Sequence, residues 1–380
     1  MELETLRKEI DLADSAIIKA FNERMNVASK IAKFKEERGI PVFDPARERQ
    51  KLFDMTSGTN EDIKTYGTAL YTFLFELSKS YQRKVLNSES AFKTQFKNAI
   101  ENIKQTFPKQ AIVACQGTEG AYSQIACEKL FSVPSITYCN SFANVFSAID
   151  SGLCKYGILP IENSTAGSIN QVYDLMMNYN CSIVRSVRLK IDHQLLSKKG
   201  VKKSSIKEII SHDQAINQCA EYLKSLGNVK ITSVANTAIA AKMVAESDRS
   251  DIAALSSNQC AKVYGLEVLD SNVQDQDNNY TRFICVSKDP EIYAGADRTS
   301  VMLSIPHRPG SLFKILAQIF GAGVNLTKLE SRPMPEKDFE FMFYFDLETS
   351  VYSEELIDLL NELSIICDTF KYFGSYSEVV

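Results

Sequence analysis

Apolar residues recur at three- and four-residue intervals at the start of the chain, at Leu3, Leu6, Ile10, Ala13, Ile17, Ala20, Val27, Ile31 and Phe34, and no proline or glycine interrupts 2–37. That period predicts one long helix with a heptad-like seam. Gly39-Ile40-Pro41 ends it, and Asp44-Pro45 predicts a second helix with an aspartate N-cap and a proline in its first turn. A third helix is predicted after Asn60, its stripe formed by Leu70, Phe73, Leu74, Leu77 and Tyr81. Residues 86–110 are rich in Lys and Asn and end in Phe107-Pro108-Lys109-Gln110, which reads as a helical extension and linker.

The period changes after that. Short apolar runs at 111–114, 158–161, 183–191, 208–211, 251–255 and 283–287 predict strands, with helical patterns between them. Such alternation predicts an α/β region, and its length suggests two lobes around a cleft. The last stretch reads strand 300–305, a helix from Gly310, strands 325–331 and 339–347, helix 353–366 and strand 369–376. This βαββαβ order is that of a ferredoxin-like module. The expected fold class is therefore multidomain: an all-α helical domain over 1–90, a linker over 91–110, an α/β two-lobed domain over 111–288 and an α+β module over 298–380.

Composition narrows the function classes. With 380 residues, 44% hydrophobic and 24% charged, the chain has the make-up of a soluble protein with two or three cores. A net charge of -4 argues against nucleic acid as a partner. No apolar segment follows Met1, and no uncharged run approaches the ~18 residues of a membrane span, so a cytoplasmic protein is expected. Nine cysteines sit mostly in apolar segments with no C-x-x-C and only three histidines, which suggests free thiols in a reducing compartment, not zinc ligands or disulfides.

Polar residues interrupt the helical pattern in telling places. Arg24 falls on the apolar seam, where a guanidinium needs an anion, either a carboxylate of the protein or a ligand. Lys35 follows about three turns on, only ~20° around the helix, so the two share a face. Asp44, Arg47 and Glu48 share the first turn of the second helix, and Ser78 and Gln82 lie one turn apart on the third. Taken singly, such pairs are usually solvated faces. The order and spacing of Arg7, Arg24, Lys35, Asp44, Arg47, Glu48, Ser78 and Gln82 strongly resemble the all-helical chorismate mutase family, whose three-helix chains intertwine as dimers.

The resemblance implies that Arg7 of a partner chain, Arg24 and Arg47 hold the substrate carboxylates. It likewise implies that Lys35 and Gln82 face the ether oxygen, that Glu48 orients the ring hydroxyl, and that Asp44 and Ser78 complete the shell. Geometry agrees on one point: Arg7 lies about 25 Å from Arg24 along a straight helix, too far for both to grip one small substrate. The reaction is a unimolecular rearrangement, which needs a folded substrate and stabilised charge in a dry site, and no nucleophile, metal or cofactor.

In the α/β region, Leu159-Pro160-Ile161-Glu162-Asn163-Ser164-Thr165-Ala166-Gly167 reads as strand into polar loop, followed by a helix from about Ser168. Free helix N-H groups with Asn163, Ser164, Thr165 and Ser168 make a seat for a carboxylate or phosphate, or simply a capped turn. This loop, the Gly120-Ala121-Tyr122-Ser123 turn, Ile210-Ser211-His212 with Gln218, and Asn279-Tyr280-Thr281-Arg282-Phe283 place polar groups at strand ends, where open α/β sheets bind ligands.

The set strongly resembles prephenate dehydratase over about residues 111–288, which implies a two-lobed fold like that of periplasmic binding proteins. It implies Thr281 as donor to the departing hydroxyl, Asn163, Ser211 and Gln218 around the ring, and Arg282 serving charge or the loop. His212 is an alternative acid, though a lone histidine is more often structural. One departure is Asn236-Thr237, where many relatives have Ser-Thr.

His307-Arg308-Pro309-Gly310-Ser311-Leu312 and Leu329-Glu330-Ser331-Arg332-Pro333 resemble the ligand-binding segments of ACT domains attached to prephenate dehydratases. Phenylalanine is the implied effector, at Pro309, Gly310, Ser311, Leu312, Glu330, Ser331, Arg332 and Pro333; relatives usually have G-A-L where this chain has Gly310-Ser311-Leu312. A module used only for dimerisation is the alternative.

The combined expectation is a homodimer or homotetramer that converts chorismate to prephenate and prephenate to phenylpyruvate, with feedback by phenylalanine. Two rivals stand beside it: a non-enzymatic amino-acid sensor, and a dehydratase whose helical part serves only dimerisation.

Overall fold

The computed structural model describes residues 3–42, 44–86, 90–334 and 341–380. The helical part consists of α1 (Leu3–Glu37), α2 (Pro45–Ser57) and, after a 3-10 turn at Glu61–Ile63, α3 (Lys64–Val85). The Asp44 carboxylate accepts the Arg47 N-H at 3.0 Å, capping α2 above its first-turn proline. Both α1 and α2 pack on α3, yet on α1 only Ala28 and Ala32 are buried. Leu3, Ile10, Leu12, Ile17 and Ile18 are each more than 60% exposed, so the predicted seam is uncovered within a single chain.

Next comes α4 (Ala91–Glu101), in the stretch expected to be extension and linker. It is more than a tether. Phe92 stacks on Phe96, with ring centroids 5.6 Å apart, and both meet Tyr372 edge-on within the core of the C-terminal module.

The first lobe of the α/β part runs β1 (Gln110–Gln116), α5 (Tyr122–Leu130), β2 (Val133–Cys139), α6 (Phe142–Asp150), β3 (Tyr156–Asn163), β4 (Gly167–Ser168), α7 (Asn170–Asn178) and β5 (Ser182–Lys190). The chain then crosses to the second lobe: β6 (Gln194–Ser197), β7 (Glu208–Ser211), α8 (Asp213–Gln218), α9 (Ala220–Ser225), β8 (Lys230–Ser233), α10 (Thr237–Glu246), β9 (Ile252–Ser256), α11 (Asn258–Tyr264) and β10 (Glu267–Asp270). It returns through β11 (Tyr280–Ser287), which inserts between β5 and β3. Two connections thus join the lobes. The second sheet has the order β10-β6-β9-β7-β8.

The C-terminal module comprises β12 (Arg298–Ser304), α12 (Ser311–Gly321), β13 (Asn325–Pro333), β14 (Phe341–Glu348), α13 (Glu354–Ile366) and β15 (Thr369–Tyr376), with sheet order β13-β14-β12-β15 and every pairing antiparallel. The part of the predicted strand 339–347 that covers 339 and 340 lies outside the described residues. Its helices bury one face of the sheet. Met302, Met342, Tyr344 and Phe373 on the other face pack with Tyr173, Met176 and Ile183 of the first lobe.

Gly374 permits this close docking: at φ 139° it brings the backbone so near the Ile183 carbonyl that an added Cβ would lie 2.2 Å from that oxygen. The chain ends in β16 (Glu378–Val379), paired in parallel with β5, which completes the first-lobe sheet β16-β5-β11-β3-β1-β2 with β4 alongside β3.

Among the described residues all nine cysteines are free thiols, eight of them buried. No described helix is long and apolar enough to cross a membrane.

Two candidate active sites

The Arg24 guanidinium is half-buried between α1 and α3, where it donates to the Leu74 carbonyl at 3.0 Å and to the Ser78 hydroxyl. Among the described residues it donates to no carboxylate. Desolvation pulls its pKa below that of a free guanidinium, offset in part by Tyr71. One turn beyond Ser78, Gln82 is buried with its Oε1 unpaired among the described residues. Arg24 and Ser78 therefore come together, and Gln82 one turn on has polar capacity left over among the described residues.

Lys35 lies further along α1 and folds back to the Pro41 and Val42 carbonyls at 3.1 and 2.8 Å. Asp44 is occupied as the α2 cap, Arg47 is exposed, and Arg7 is exposed near the far end of α1. Glu48 pairs at 3.0 Å with Lys79, a buried lysine of α3 that the sequence analysis does not single out.

The second site lies in the cleft between the α/β lobes, a cavity of about 480 Å³. Strand pairing sets its centre: β11 and β3 are antiparallel neighbours with Thr281 opposite Asn163 and Arg282 opposite Glu162. Successive residues of a strand face opposite ways, so Thr281 and Asn163 line the cleft while Arg282 and Glu162 face away from it.

Asn163 Nδ2 donates to Thr281 Oγ1 at 2.9 Å and to Asn279 Oδ1 at 2.9 Å. Its Oδ1 accepts from the Thr165 N-H at 3.0 Å and the Ala166 N-H at 2.9 Å, holding the loop in a tight turn. Gln218, from α8 of the other lobe, donates from Nε2 to Thr165 Oγ1 at 2.8 Å and accepts from Asn279 at 3.0 Å, so it bridges the cleft.

Two expectations require correction. The loop after Asn163 does not lead directly into a helix N-terminus: the two-residue strand β4 folds back on β3 first. Of the two readings of its N-H groups, the capped turn is the one seen: Asn163 accepts those of Thr165 and Ala166, while Ser164 donates its hydroxyl to the Asn278 carbonyl and Ser168 bonds Glu330 at 2.5 Å.

Ser211 does not line the cavity: it is fully buried, and its hydroxyl donates to the Leu255 carbonyl at 2.8 Å. Arg282, expected to serve charge or the loop, faces away from the cleft; it is buried in the seam with the C-terminal module, with Nε 2.7 Å from Glu162 and NH2 2.5 Å from Asp346. Those carboxylates hold its pKa above the ordinary value even though desolvation, the largest effect, works to lower it.

His212 does border the cleft, but Nδ1 is spent accepting the Gln214 N-H at 3.2 Å as the cap of α8. The histidine that the sequence reading missed is His193. It lies in the first crossing between the lobes, its Nε2 3.0 Å from Gln218 Oε1 and its buried Nδ1 unpaired among the described residues. Burial lowers its pKa, outweighing the opposing effects of Gln218 and Asp192, so the ring is neutral. Tyr122 lies at 6.5 Å, edge-to-face, with its hydroxyl given to the Asp192 carbonyl at 2.7 Å. His193 follows a predicted strand and is one of only three histidines, which was the available signal.

On the C-terminal module, Pro309 and Gly310 form the turn into α12, which begins with Ser311 and Leu312, and Glu330, Ser331, Arg332 and Pro333 end β13. Arg332 forks onto Asp174 of α7 at 3.0 and 2.9 Å, and Lys328 joins Glu162 at 2.5 Å.

Comparison with known proteins separates the same regions. The prephenate dehydratase family model matches residues 113–291, and the chorismate mutase type II model matches residues 6–83. The bifunctional chorismate mutase/prephenate dehydratase of Aquifex aeolicus is 30% identical over 380 residues, covering 100% of this chain and 99% of that protein. Arogenate dehydratase/prephenate dehydratase 1 of Arabidopsis thaliana is 37% identical over 367 residues, covering 89% of this chain and 93% of that one. A prephenate dehydratase from Arthrobacter aurescens, solved in complex with L-Phe, is 28% identical with a TM-score of 0.65 and covers 70% of this chain and 90% of that one. With both family models placed on separate units and a two-activity relative matched end to end, the chain belongs to the bifunctional chorismate mutase/prephenate dehydratase family.

Proposed function

We propose that this enzyme of phenylalanine biosynthesis, which rearranges chorismate to prephenate and converts prephenate to phenylpyruvate, does the second step with the Asn163–Thr281 pair as its chemical centre. Prephenate loses carbon dioxide and hydroxide together as its ring becomes aromatic, so the departing hydroxyl must receive a proton and the carboxylate must leave water. The observation that carries the reading is the Asn163 amide donating to Thr281 Oγ1 at 2.9 Å. That bond leaves the threonine proton free to point into the cleft and polarises the O-H that gives it. Gln218 and neutral His193, bonded to each other, close the opposite side.

For the first step, Arg24 and Gln82 grip one substrate in the helical unit, with Ser78 holding the guanidinium. Arg7 and the apolar face of α1 are completed by a second copy of the chain, giving a dimer or tetramer. Support comes from the exposed leucines and isoleucines of α1 and from Arg24, half-buried without a carboxylate among the described residues. Lys35 then turns to the substrate from the Pro41 and Val42 carbonyls, exposed Arg47 swings in, and Glu48 meets it from its place beside Lys79. Free, buried thiols fit a cytoplasmic home.

The C-terminal module acts as a ferredoxin-like ACT domain that binds phenylalanine at the α12 turn and the end of β13. The Arthrobacter aurescens relative was solved with L-Phe, and here Lys328 and Arg332 of β13 reach Glu162 and Asp174, beside the Asn163 turn. Feedback then requires the effector to prefer one arrangement of that seam. Incubating purified protein with chorismate, and following chorismate loss and phenylpyruvate formation with and without phenylalanine, tests all three claims. Phenylpyruvate formation that added phenylalanine leaves unchanged at subsaturating prephenate removes the regulatory one.

A further inference from the structure

A chain of alternating charges leads from the helical unit into the C-terminal module. Glu48 of α2 lies 3.0 Å from Lys79 Nζ, Lys79 Nζ lies 2.8 Å from Glu76 Oε1, and the same Glu76 oxygen lies 3.0 Å from Lys314 Nζ. The two middle members are well covered, with side chains 9% exposed, whereas Lys314 is 39% exposed on the first turns of α12. Burial works to raise the Glu76 pKa, but its bonds to Lys79 and Lys314 prevail and hold it below the ordinary value, so Glu76 is charged. A cavity of about 210 Å³ runs beside the chain, lined by Glu48, Phe75, Glu76, Arg308 and Lys314. Phe73 and Phe313 meet edge-to-face at 6.4 Å alongside, so the helical unit is seated on α12 through apolar as well as charged contacts.

These four side chains carry two charges of each sign, with Arg49 and Arg308 lining the same cavity, so removing Lys314 takes one cation from the set. Two carboxylates share Lys79, and the second cation that frees Lys79 for Glu48 comes from the other end of the sequence. We propose that Lys314 is a positioning residue for the chorismate mutase reaction, acting through Glu76 and Lys79 to hold Glu48 and to balance charge where a dicarboxylate substrate must bind. This rests on the reading of Glu48 as part of that site. Without Lys314, Glu76 draws Lys79 toward itself, Glu48 loses its anchor, and one positive charge fewer lies near a dianionic substrate. At an effective dielectric of about 20, a unit charge roughly 10 Å away alters binding by on the order of tenfold, and solvent screening at half-exposed Lys314 reduces that.

The experiment uses the full-length enzyme without phenylalanine and measures both activities. K314M is expected to raise the mutase KM for chorismate by about threefold to tenfold, with kcat within about twofold and dehydratase activity unchanged, and K314R is expected to stay near the parent. The double variant Glu76→Gln with Lys314→Met removes one charge of each sign and is expected to bring KM back, a recovery that a purely structural contact does not give. A K314M mutase KM within a factor of about two of the parent, while Glu48→Gln sharply lowers mutase activity, overturns the inference. If Glu48→Gln leaves mutase activity intact, the placement of Glu48 fails and the inference with it. If K314M impairs both activities together, the double variant decides: recovery of mutase KM supports the role, and no recovery overturns it.

Discussion

The cleft between the α/β lobes and the Arg24 cluster of the helical unit are satisfied to different degrees within one chain. In the cleft, Asn163, Asn279 with Thr281, Gln218 and His193 come from four separate segments and are hydrogen-bonded to one another within a single chain. In the helical unit, Arg24 is half-buried with no carboxylate partner among the described residues, Gln82 Oε1 is unpaired, and the apolar seam of α1 lies open. Strand ends and loops converge because a twisted sheet gathers them at one edge. A straight helix spreads its residues along ~1.5 Å per position, so a pocket strung on one needs other helices to close it.

Substitutions at the two centres test that independence most strongly. Arg24→Ala is expected to lower mutase kcat/KM by about 10³-fold, as loss of a charged clamp in a dry site does, with dehydratase activity within about twofold; separate assays with chorismate and with prephenate read this. A parallel fall in both activities breaks the comparison. Thr281→Ala is expected to lower dehydratase kcat by about 10²- to 10³-fold with mutase activity retained, and Thr281→Ser to recover much of it because the hydroxyl remains beside Asn163. Equal losses in Ser and Ala variants remove the hydroxyl from the mechanism.

Next in size is a change to the docking of the C-terminal module. Gly374→Ala places a methyl 2.2 Å from the Ile183 carbonyl at a φ of 139° that alanine resists. It is expected to cost about 3 kcal/mol or more, read as a lowered midpoint of thermal unfolding and as weakened control of the dehydratase by phenylalanine. The helical unit makes no use of this contact, so K314R at the other docking face leaves the midpoint unchanged.

What the sequence disclosed follows the same division. Periodicity located the three helices, and Asp44-Pro45 marked the start of α2 because capping chemistry is local. The apolar runs located β3, β5, β7, β9 and β11 to within a few residues. Residues bound by tertiary geometry were harder. Thr281 and Arg282 read as one motif, yet strand alternation sends one to the cleft and the other to the seam with Asp346. Ser211 looked available, but its hydroxyl is used inside the sheet. His193 lies in a connection with no periodic signal, and the partners of Glu76 are spread from Lys79 to Lys314, a separation at which spacing carries no information.

The smallest expected effect distinguishes the two sites by proton chemistry. All three histidines lie beyond residue 190, so none belongs to the helical unit. His193 is buried, and desolvation lowers its pKa from 6.5 in the folded state. The unfolded chain therefore binds the proton more readily, and folding stability from this group is fully present above about pH 6.5 and is lost progressively as pH falls from there toward the folded pKa. Asp192 opposes the shift but does not reverse it. Between about pH 7.5 and pH 5.5 the thermal midpoint should decline, and His193→Gln, which keeps a hydrogen-bonding side chain without a titrating ring, should flatten that decline. An unchanged pH slope in His193→Gln places the proton-linked instability elsewhere. A steeper slope means that the ring is charged in the fold, which contradicts a neutral histidine bonded to Gln218.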